Sequence, residues 1–335
     1  MSEVLAPSAA NIERAARALA AGEVVAFPTE TVYGLGADAA DPAAVARVFA
    51  LKGRPATHPL IVHLGSAVQA QQWSAHWPPA AQRLADRFWP GPLTLIVRKA
   101  GSVHAAVTGG QDSVGLRVPS HPVARALLAE FARLGSGAIA APSANRFGRL
   151  SATHAAHVLA EFGAQVPIVL DGGACEVGIE STIVDLSRGP PVLLRPGAIA
   201  LAALADALGE RPRAPDADAP RASGTLASHY APRAQVMLVE ADLVAEIAGF
   251  LAGDGKTVAV LARTAGEPLE PRLRWQRAPQ DAAGYAHDLY AMLRALDQPG
   301  TDVIVVERPP LDAAWGAIAD RLQRAAADRP AQEAG

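Results

Sequence analysis

The segment Val25–Leu64 restricts the fold of this 335-residue chain more than any other part of its sequence. A short apolar strand over Val24–Phe27 leads into a loop of hydroxyl residues and glycines that extends from Thr29 to Gly36. A helix follows, and then a second strand over Leu60–Leu64. Strand, polar loop, helix and strand in so short a segment indicate a sheet with a polar rim. Small molecules bind at such a rim in many α/β proteins.

The helix of this segment has clear signals at both ends. Asp41 is predicted to cap it, and Pro42 occupies its first position, where a missing N–H has no cost. The helix ends beside two cations, Lys52 and Arg54. Cations at a helix C-terminus often only interact with the helix dipole. Here a glycine-rich loop precedes the helix, and the combination predicts a site for an anionic small molecule.

Composition limits the classes of function. Half of the residues are hydrophobic and 19% are charged, which is typical of a globular protein, and the length favours two domains. The formal net charge of −3 gives no general positive field, which disfavours a protein that mainly binds nucleic-acid backbone. The single cysteine, Cys175, excludes an internal disulfide and fits a reducing, cytoplasmic location. No signal peptide and no membrane-spanning run are expected.

Residues 1–208 are predicted to form an α+β domain. Several short apolar runs indicate strands, and helices stand between them, so a mixed sheet is favoured over a purely parallel one. The predicted helices are the one capped by Ser8, which ends near Ala21, and those over Pro79–Trp89, Pro122–Leu134 and Thr153–Phe162. Further strands are predicted within 89–97, 109–118, 138–141, 166–170, 178–187 and 190–197.

The composition changes after Leu208. Residues 209–232 are rich in proline, alanine and charge, which predicts a linker, although its SHYAP end is too specific in its chemistry for a plain spacer. Residues 233–328 alternate strands and helices regularly, which predicts a small, parallel, Rossmann-like α/β domain, and 329–335 form a tail. Because this domain has neither GxGxxG nor a Walker A motif, no separate nucleotide site is expected there.

Several polar residues have ordinary explanations beside a functional one. Thr31 can simply cap a turn. His58 and His63 have no third metal ligand at a recognisable spacing, so no metal site is predicted. Ser143 and Ser181 do not lie in a GxSxG motif, which disfavours a nucleophilic hydrolase.

Three arginines favour a functional interpretation. Arg54, Arg117 and Arg195 each lie at or near the end of a predicted strand, beside a loop of small polar residues. One exposed arginine would carry no weight. Three that approach the same sheet rim indicate a site that binds phosphates and a carboxylate.

Several motifs in a fixed order resemble a known family. They are PTETVYGLG, KGRPATHPLIVH, VGLRVPSHP, APSAN, GIESTIVDL and LLRPG. Together they resemble the YrdC-like domain of threonylcarbamoyl-AMP synthases, and SHYAP with the additional α/β domain resembles the long, two-domain form. The resemblance extends from about Ile12 to Arg321. It implies a twisted, mostly antiparallel mixed sheet with a deep, positively lined cavity, and a smaller C-terminal domain on a linker.

The resemblance also implies a reaction. L-threonine, bicarbonate and ATP would condense to threonylcarbamoyl-AMP with release of pyrophosphate. Mg2+ is expected on the ATP phosphates, without a dedicated protein site. The product would serve the transferase complex that makes threonylcarbamoyladenosine next to the anticodon of certain tRNAs.

Roles for individual residues follow from the same resemblance. Threonine would be held by Thr31, His63, Arg117, Ser143 and Ser181, with Arg117 on its carboxylate. ATP would be held by Arg54, His58, Ser113, the backbone of Ala141, Ser151, Arg195 and Tyr230. The catalytic group around the phosphates would be Lys52, Arg54 and Asn145. His58 and Ser113 stand where asparagine and threonine are common in the family, and both still donate hydrogen bonds. Tyr230, at the end of the linker, is predicted to close over the nucleotide as a lid.

Two other functions stay open from the sequence. A concave basic surface could bind structured RNA, and a weak contact with tRNA is compatible with the proposed product. The negative net charge and the lack of an arginine stripe count against a pure binding module. Relatives of the YrdC-like domain also occur inside carbamoyltransferase maturation proteins. Those proteins carry zinc-type cysteine motifs, which the single cysteine of this sequence argues against.

Overall fold

The computed structural model describes residues 2–268 and 273–328. Tertiary contacts divide the chain into two compact units. The first contains the residues up to Phe147 together with Ser151–Thr225, and the second contains Gly148–Leu150 together with the residues from Leu226 onward. The predicted linker, 209–232, is therefore shared, since its part up to Thr225 belongs to the first unit. The predicted tail, 329–335, lies outside the described residues.

The first unit is built on a large mixed sheet. Its strands in the described part of the chain are β1 (Glu3–Leu5), β2 (Val25–Phe27), β3 (Gly34–Asp38), β4 (Ile61–His63), β5 (Leu93–Arg98), β6 (Ser113–Arg117), β7 (Ile139–Ala140), β8 (Ile168–Leu170), β9 (Thr182–Asp185) and β10 (Val192–Arg195). Their order in the sheet is β1-β8-β2-β3-β7-β4-β6-β5-β9-β10. Five of these nine pairings are antiparallel and four are parallel, which confirms the expected mixed sheet.

Helices accompany this sheet, and most of them coincide with predicted ones. The helices of the first unit that the structure describes are α1 (Ala9–Ala20), α2 (Pro42–Lys52), α3 (Ala67–Gln72), α4 (Pro79–Phe88), α5 (Ala105–Thr108), α6 (Pro122–Leu134), α7 (Ala155–Phe162) and α8 (Leu201–Leu208). The Ser8 hydroxyl caps α1, as predicted, by accepting the Asn11 N–H. The sequence-based prediction omitted α3, α5 and α8. Two of these are very short, and α8 is an alanine- and leucine-rich segment without a side-chain cap.

Strand β3 corrects part of the predicted loop Thr29–Gly36, because the chain is already extended from Gly34 onward. Glycine is uncommon in strands, which concealed this one. A Cβ atom on Gly36 would lie only 2.6 Å from Ile139 Cγ2 and 2.7 Å from the Phe27 ring. Glycine is therefore required where these two side chains pack closely over β3.

Helix α2 has the predicted ends. The Asp41 carboxylate accepts the Ala43 N–H at 2.8 Å, and Pro42 opens the helix. Gly53 ends it in the left-handed conformation, with φ of 62°, which is the usual glycine position after a helix. This turn separates the two cations, so that Lys52 belongs to the buried face of α2 and Arg54 to the following loop.

Small and branched apolar residues form the core of the first unit. One cluster joins Leu95 and Leu116 of the sheet to Leu84 of α4. Another joins Phe27 to Phe131 of α6 and to residues of α1. Each fully buried side chain of this size stabilises the fold by roughly 1.5–3 kcal/mol, which holds the central strands in the register that defines the site.

The second unit is a smaller parallel α/β layer structure, as predicted. It contains β11 (Gln235–Val239), β12 (Val258–Ala262), β13 (Arg274–Arg277) and β14 (Val303–Glu307), with α9 (Val244–Gly253), α10 (Ala282–Leu296) and α11 (Gly316–Ala326). The strand order is β11-β14-β12-β13, and each pairing is parallel. The polar edge strand β13 was not predicted. Among the described residues of both units, no helix combines the length and apolarity that a bilayer span requires.

Candidate active site

Strand pairing brings together polar residues from separate motifs. His63 ends β4 and is paired with Arg117, which ends the parallel strand β6. On its other side, β6 runs antiparallel to β5 in a register that sets Arg117 close to Thr94. The Thr94 hydroxyl lies 2.8 Å from the hydroxyl of Ser181, which directly precedes β9. Neighbouring central strands therefore contribute one continuous group of polar side chains.

Arg117 is buried and is held by two residues from the loop between β2 and β3. Its NH1 group donates to Thr31 Oγ1 at 2.8 Å, and its NH2 group lies 2.8 Å from Glu30 Oε1. The two charged side chains are 4% and 3% exposed. Burial opposes ionisation of Glu30, but the Arg117 guanidinium, together with the backbone N–H groups of Glu30 and Ser120, outweighs it and holds the pKa of the carboxyl below its ordinary value. Sequence reasoning missed Glu30, although an acidic residue between two threonines was an available signal.

Arg54 and Arg195 meet at Ser223. The NH2 group of Arg54 donates to Ser223 Oγ at 3.2 Å and to the Pro59 carbonyl at 3.0 Å. The NH1 group of Arg195 donates to the Ser223 carbonyl at 2.6 Å. Both arginines were predicted to bind ATP, and a segment of the predicted linker contacts them in this structure.

This segment, residues 219–225, is named the strap. The Arg221 backbone N–H donates to Gln111 Oε1 at 2.7 Å, and the Arg221 carbonyl accepts from Gln111 Nε2 at 3.1 Å. Ala222 is buried in a small apolar cluster of the first unit. Ser113, another predicted ATP ligand, lines a pocket that Ser223 also borders. The strap therefore lies in the predicted phosphate site.

Ser181 connects the two halves of the site. Arg195 donates to the Ser181 carbonyl at 3.0 Å and to its hydroxyl at 3.1 Å. That hydroxyl also contacts Thr94, which lies close to Arg117. A short hydrogen-bonded chain thus leads from the Arg54 and Arg195 pair toward Arg117. The roles of these residues toward threonine and ATP stay predictions.

Lys52 is turned into the protein rather than toward the strap. Its ammonium donates to the carbonyls of Ser143, at 2.6 Å, and Asn145, and its side chain is buried. Burial, and next the Arg54 guanidinium, lower the pKa of Lys52 well below its ordinary value. The Asn145 amide itself donates to the Arg146 carbonyl at 2.8 Å. These contacts give Lys52 a structural role in holding the loop Ser143–Asn145, and its predicted role around the phosphates stays a prediction.

Replacing Lys52 with methionine is therefore expected to lower the free energy of unfolding by about 1–3 kcal/mol, because two buried carbonyl groups lose their donor. Urea unfolding of the variant and of the wild type measures the difference. Lys99→Met is the matched control, since Lys99 is only partly buried and makes a single long contact of 3.3 Å. A Lys52→Met protein of unchanged stability that has lost affinity for ATP would contradict the structural role.

Other predicted residues are spread over both units. His58 is half-buried, and its ring packs edge-on against Phe147 with 5.3 Å between centroids. The backbone N–H of Ala141 is already used in the sheet, where it donates at 3.0 Å. The Ser151 hydroxyl donates to the Glu180 carboxylate at 2.5 Å. Tyr230 belongs to the second unit, and both its binding of ATP and its action as a lid stay predictions.

The buried imidazole of His63 predicts a pH dependence of stability. Burial, and next the positive charge of Arg117, lower the pKa of His63 to about 3, against about 6.5 in an unfolded chain. Below pH 6.5 the unfolded state binds a proton that the folded state does not. The free energy of unfolding therefore decreases as the pH is lowered, by up to about 1.4 kcal/mol per pH unit.

Urea unfolding between pH 7 and 5, above the range in which carboxylates titrate, should show this slope. In the variant His63→Gln, the contribution of His63 to this slope should be absent. An identical pH dependence in the variant and the wild type would show that His63 does not contribute.

Known protein families match the sequences of both units. The family model described as "Telomere recombination", of the Sua5, YciO and YrdC proteins, matches residues 17–197. The model described as "Threonylcarbamoyl-AMP synthase, C-terminal domain" matches residues 199–327. The threonylcarbamoyl-AMP synthase of Pyrococcus abyssi is 39% identical over 330 residues, with 95% of each chain covered. That of Bacillus subtilis is 35% identical, with 98% of this chain and 96% of the relative covered.

Solved structures extend the likeness to three dimensions. A doubly substituted variant of P. abyssi Sua5 matches with a TM-score of 0.90 at 36% identity, covering 97% of this chain and 96% of that one. P. abyssi Sua5 complexed with L-threonine matches with a TM-score of 0.88 at 38% identity, covering 95% of each. The fold, the site and these matches define an enzyme of the Sua5, YciO and YrdC class. Within it, the chain belongs to the threonylcarbamoyl-AMP synthase family in its two-domain form.

Proposed function

We propose that this synthase condenses L-threonine, bicarbonate and ATP to threonylcarbamoyl-AMP and pyrophosphate. The observation that carries the proposal is the arrangement of three arginines in the first unit. Arg117 is suited to a carboxylate, while Arg54 and Arg195 converge on one oxygen-bearing residue as they would on a phosphate. The L-threonine complex of the P. abyssi relative supports threonine as the amino acid.

In this proposal threonine binds with its carboxylate on Arg117. Each terminal nitrogen of the guanidinium carries two hydrogens. NH1 donates one to Thr31 and NH2 lies 2.8 Å from Glu30 Oε1, so each nitrogen keeps an N–H for a ligand. A carboxylate can accept this pair of hydrogen bonds in parallel. His63 beside it is neutral, because its pKa is about 3, and contributes a polar nitrogen without adding charge.

The chemistry brings two anions together. The threonine ammonium first loses a proton to become an amine, which takes up the carbonyl unit of bicarbonate, releases water and becomes a carbamate. A carbamate oxygen then attacks the α-phosphorus of ATP, and pyrophosphate leaves. Because no side-chain nucleophile is required, the residues of the site act by positioning the reactants and by neutralising charge. Arg54 and Arg195 neutralise the charge of the phosphates once these two arginines no longer contact Ser223.

Mg2+ is part of the proposal as a counter-ion of the phosphates. In the ranges 2–268 and 273–328, no three His, Cys, Asp or Glu side chains are arranged to hold a metal. The charged side chains that contact the strap, Arg54 and Arg195, are cations, which fit a metal carried in on nucleotide oxygens. Mg2+ would there supply further neutralisation of the phosphate charge.

The proposed product is an activated threonylcarbamoyl group. We assign its use to a transferase complex that modifies tRNA next to the anticodon, in the cytoplasm. The names of the relatives support the product, and the single cysteine supports the reducing location. Measurement of pyrophosphate release tests the synthesis of this product and does not test its later use.

A pyrophosphate-release assay tests the reaction. With ATP and Mg2+ present, release should require both L-threonine and bicarbonate, and omission of either should reduce it to background. Release that continues without threonine or without bicarbonate would contradict the proposal. A salt-sensitive gel shift with tRNA and no ATP consumption would favour an RNA-binding function instead.

A further inference from the structure

The carboxylate of Glu30 is a costly neighbour for an arginine that binds an anion. At 2.8 Å it neutralises much of the attraction that Arg117 exerts on a substrate carboxylate. Both charges are also buried away from water, which is unfavourable unless each of them is fully paired. A site that recognised only a carboxylate would be stronger without Glu30. Its position therefore suggests a second charge on the ligand.

Glu30 has an oxygen available for such a charge. Oε1 lies 2.8 Å from Arg117, and neither carboxylate oxygen makes a hydrogen bond of ordinary length and angle to the described residues. The backbone N–H groups of Ser120 and of Glu30 itself also help to lower the pKa of this carboxyl, and they leave the negative charge of Glu30 in place. The side chain is 3% exposed, so water does not readily supply a partner. The low pKa of the carboxyl means that Glu30 is an acceptor with a full negative charge at neutral pH.

An α-amino acid carries its amino group one carbon away from its carboxylate. A ligand whose carboxylate lies on Arg117 therefore presents its amino group to the side chains that border the guanidinium. Of these, Thr31 is an uncharged hydroxyl and His63 is a neutral imidazole. Glu30 is the anionic one, and it alone of the three can balance an ammonium charge.

We propose that Glu30 receives the amino group of the substrate and that the Glu30 and Arg117 pair selects zwitterionic amino acids over simple carboxylates. The inference rests on the proposed function and specifies how its threonine site discriminates. The ion pair and a zwitterion are each neutral overall, so their combination leaves no net charge in the buried site. A carboxylate without an amino group would leave one uncompensated negative charge beside Glu30.

Binding of two ligands to three proteins tests this inference by isothermal titration calorimetry. The ligands are L-threonine and 3-hydroxybutanoate, which has the same carbon skeleton without the amino group. The wild type should bind threonine at least about 30-fold more tightly than 3-hydroxybutanoate, as expected for one additional hydrogen bond between charged groups. In Glu30→Gln, threonine affinity should fall by about 10- to 100-fold, the effect of losing a charge-assisted hydrogen bond, while 3-hydroxybutanoate affinity stays constant or rises.

Glu307→Gln is the matched control. Glu307 is another buried glutamate, and it accepts the backbone N–H groups of Arg263, Thr264 and Ala265 in the second unit. Its substitution removes a buried carboxylate of structural importance far from the proposed ligand in sequence. The ratio of the two ligand affinities should match that of the wild type in this variant.

Two results would overturn the inference. An equal loss of affinity for both ligands in Glu30→Gln would mean that Glu30 only supports Arg117. If that variant does not fold, the wild type decides, because equal binding of threonine and 3-hydroxybutanoate would exclude a zwitterion-selective site. Failure of the wild type to bind L-threonine at all would instead contradict the proposed function, and the inference with it.

Discussion

Replacement of Arg117 with alanine is expected to lower the free energy of unfolding by about 3–5 kcal/mol, because Glu30 is left as an unpaired buried charge. The same change should lower kcat/KM for threonine by about 100-fold or more, since a substrate carboxylate loses two charge-assisted hydrogen bonds. Urea unfolding measures the first effect. Pyrophosphate release at limiting threonine measures the second.

A double substitution separates these two effects. Arg117→Ala combined with Glu30→Gln removes both charges, so it should recover most of the lost stability without recovering activity. The single variant Arg117→Ala would be as stable as the wild type only if the Glu30 carboxyl reached water or took up a proton. That outcome would contradict the strongly coupled pair that the structure contains.

Replacement of Arg54 with alanine should slow pyrophosphate release by about 100- to 1000-fold at saturating threonine and bicarbonate. This corresponds to roughly 3–4 kcal/mol of transition-state stabilisation, the expected contribution of a cation at a transferring phosphate. The rate should be measured over a range of ATP concentrations, because Arg54 also binds the strap through Ser223. Separate kcat and KM values then distinguish charge stabilisation from nucleotide binding.

Arg47→Ala provides the control for this experiment. Arg47 lies on α2, the helix that precedes the loop of Arg54, but its side chain is about half exposed and contacts Gly22 and Glu23 at the surface. Its substitution should leave the rate of pyrophosphate release unchanged. A rate in Arg54→Ala equal to that of the wild type would reject the role of Arg54 at the phosphates.

Local signals in the sequence predicted the elements that depend on local interactions. The start of α2 follows from Asp41 and Pro42, and its end was expected beside Lys52 and Arg54, where Gly53 ends the helix in the structure. The alternation of strands and helices in the second unit likewise predicted its parallel sheet. Strand β3 was missed because the close packing of Phe27 and Ile139 requires glycine in it. Local strand propensity, which disfavours glycine, does not include this tertiary requirement.

The site was harder to predict, because its contacts join residues far apart in the chain. Lys52 and Arg54 are separated by a single residue and were assigned to the same chemistry. The left-handed turn at Gly53 sends them to different environments, one beneath the Ser143 loop and the other beside the strap. Glu30 was overlooked for a similar reason, since only the fold determines which cation it meets.

The strap has a consequence for any measurement of nucleotide affinity. Ser223 accepts from Arg54 through its hydroxyl and from Arg195 through its carbonyl, so under the proposed function the polypeptide would be an intramolecular competitor of ATP for these two arginines. A tethered competitor has a fixed effective concentration, and dilution of the protein does not weaken it. If these arginines bind ATP as proposed, the apparent Kd for ATP should exceed the intrinsic value by the reciprocal of the fraction of molecules in which Ser223 does not contact them.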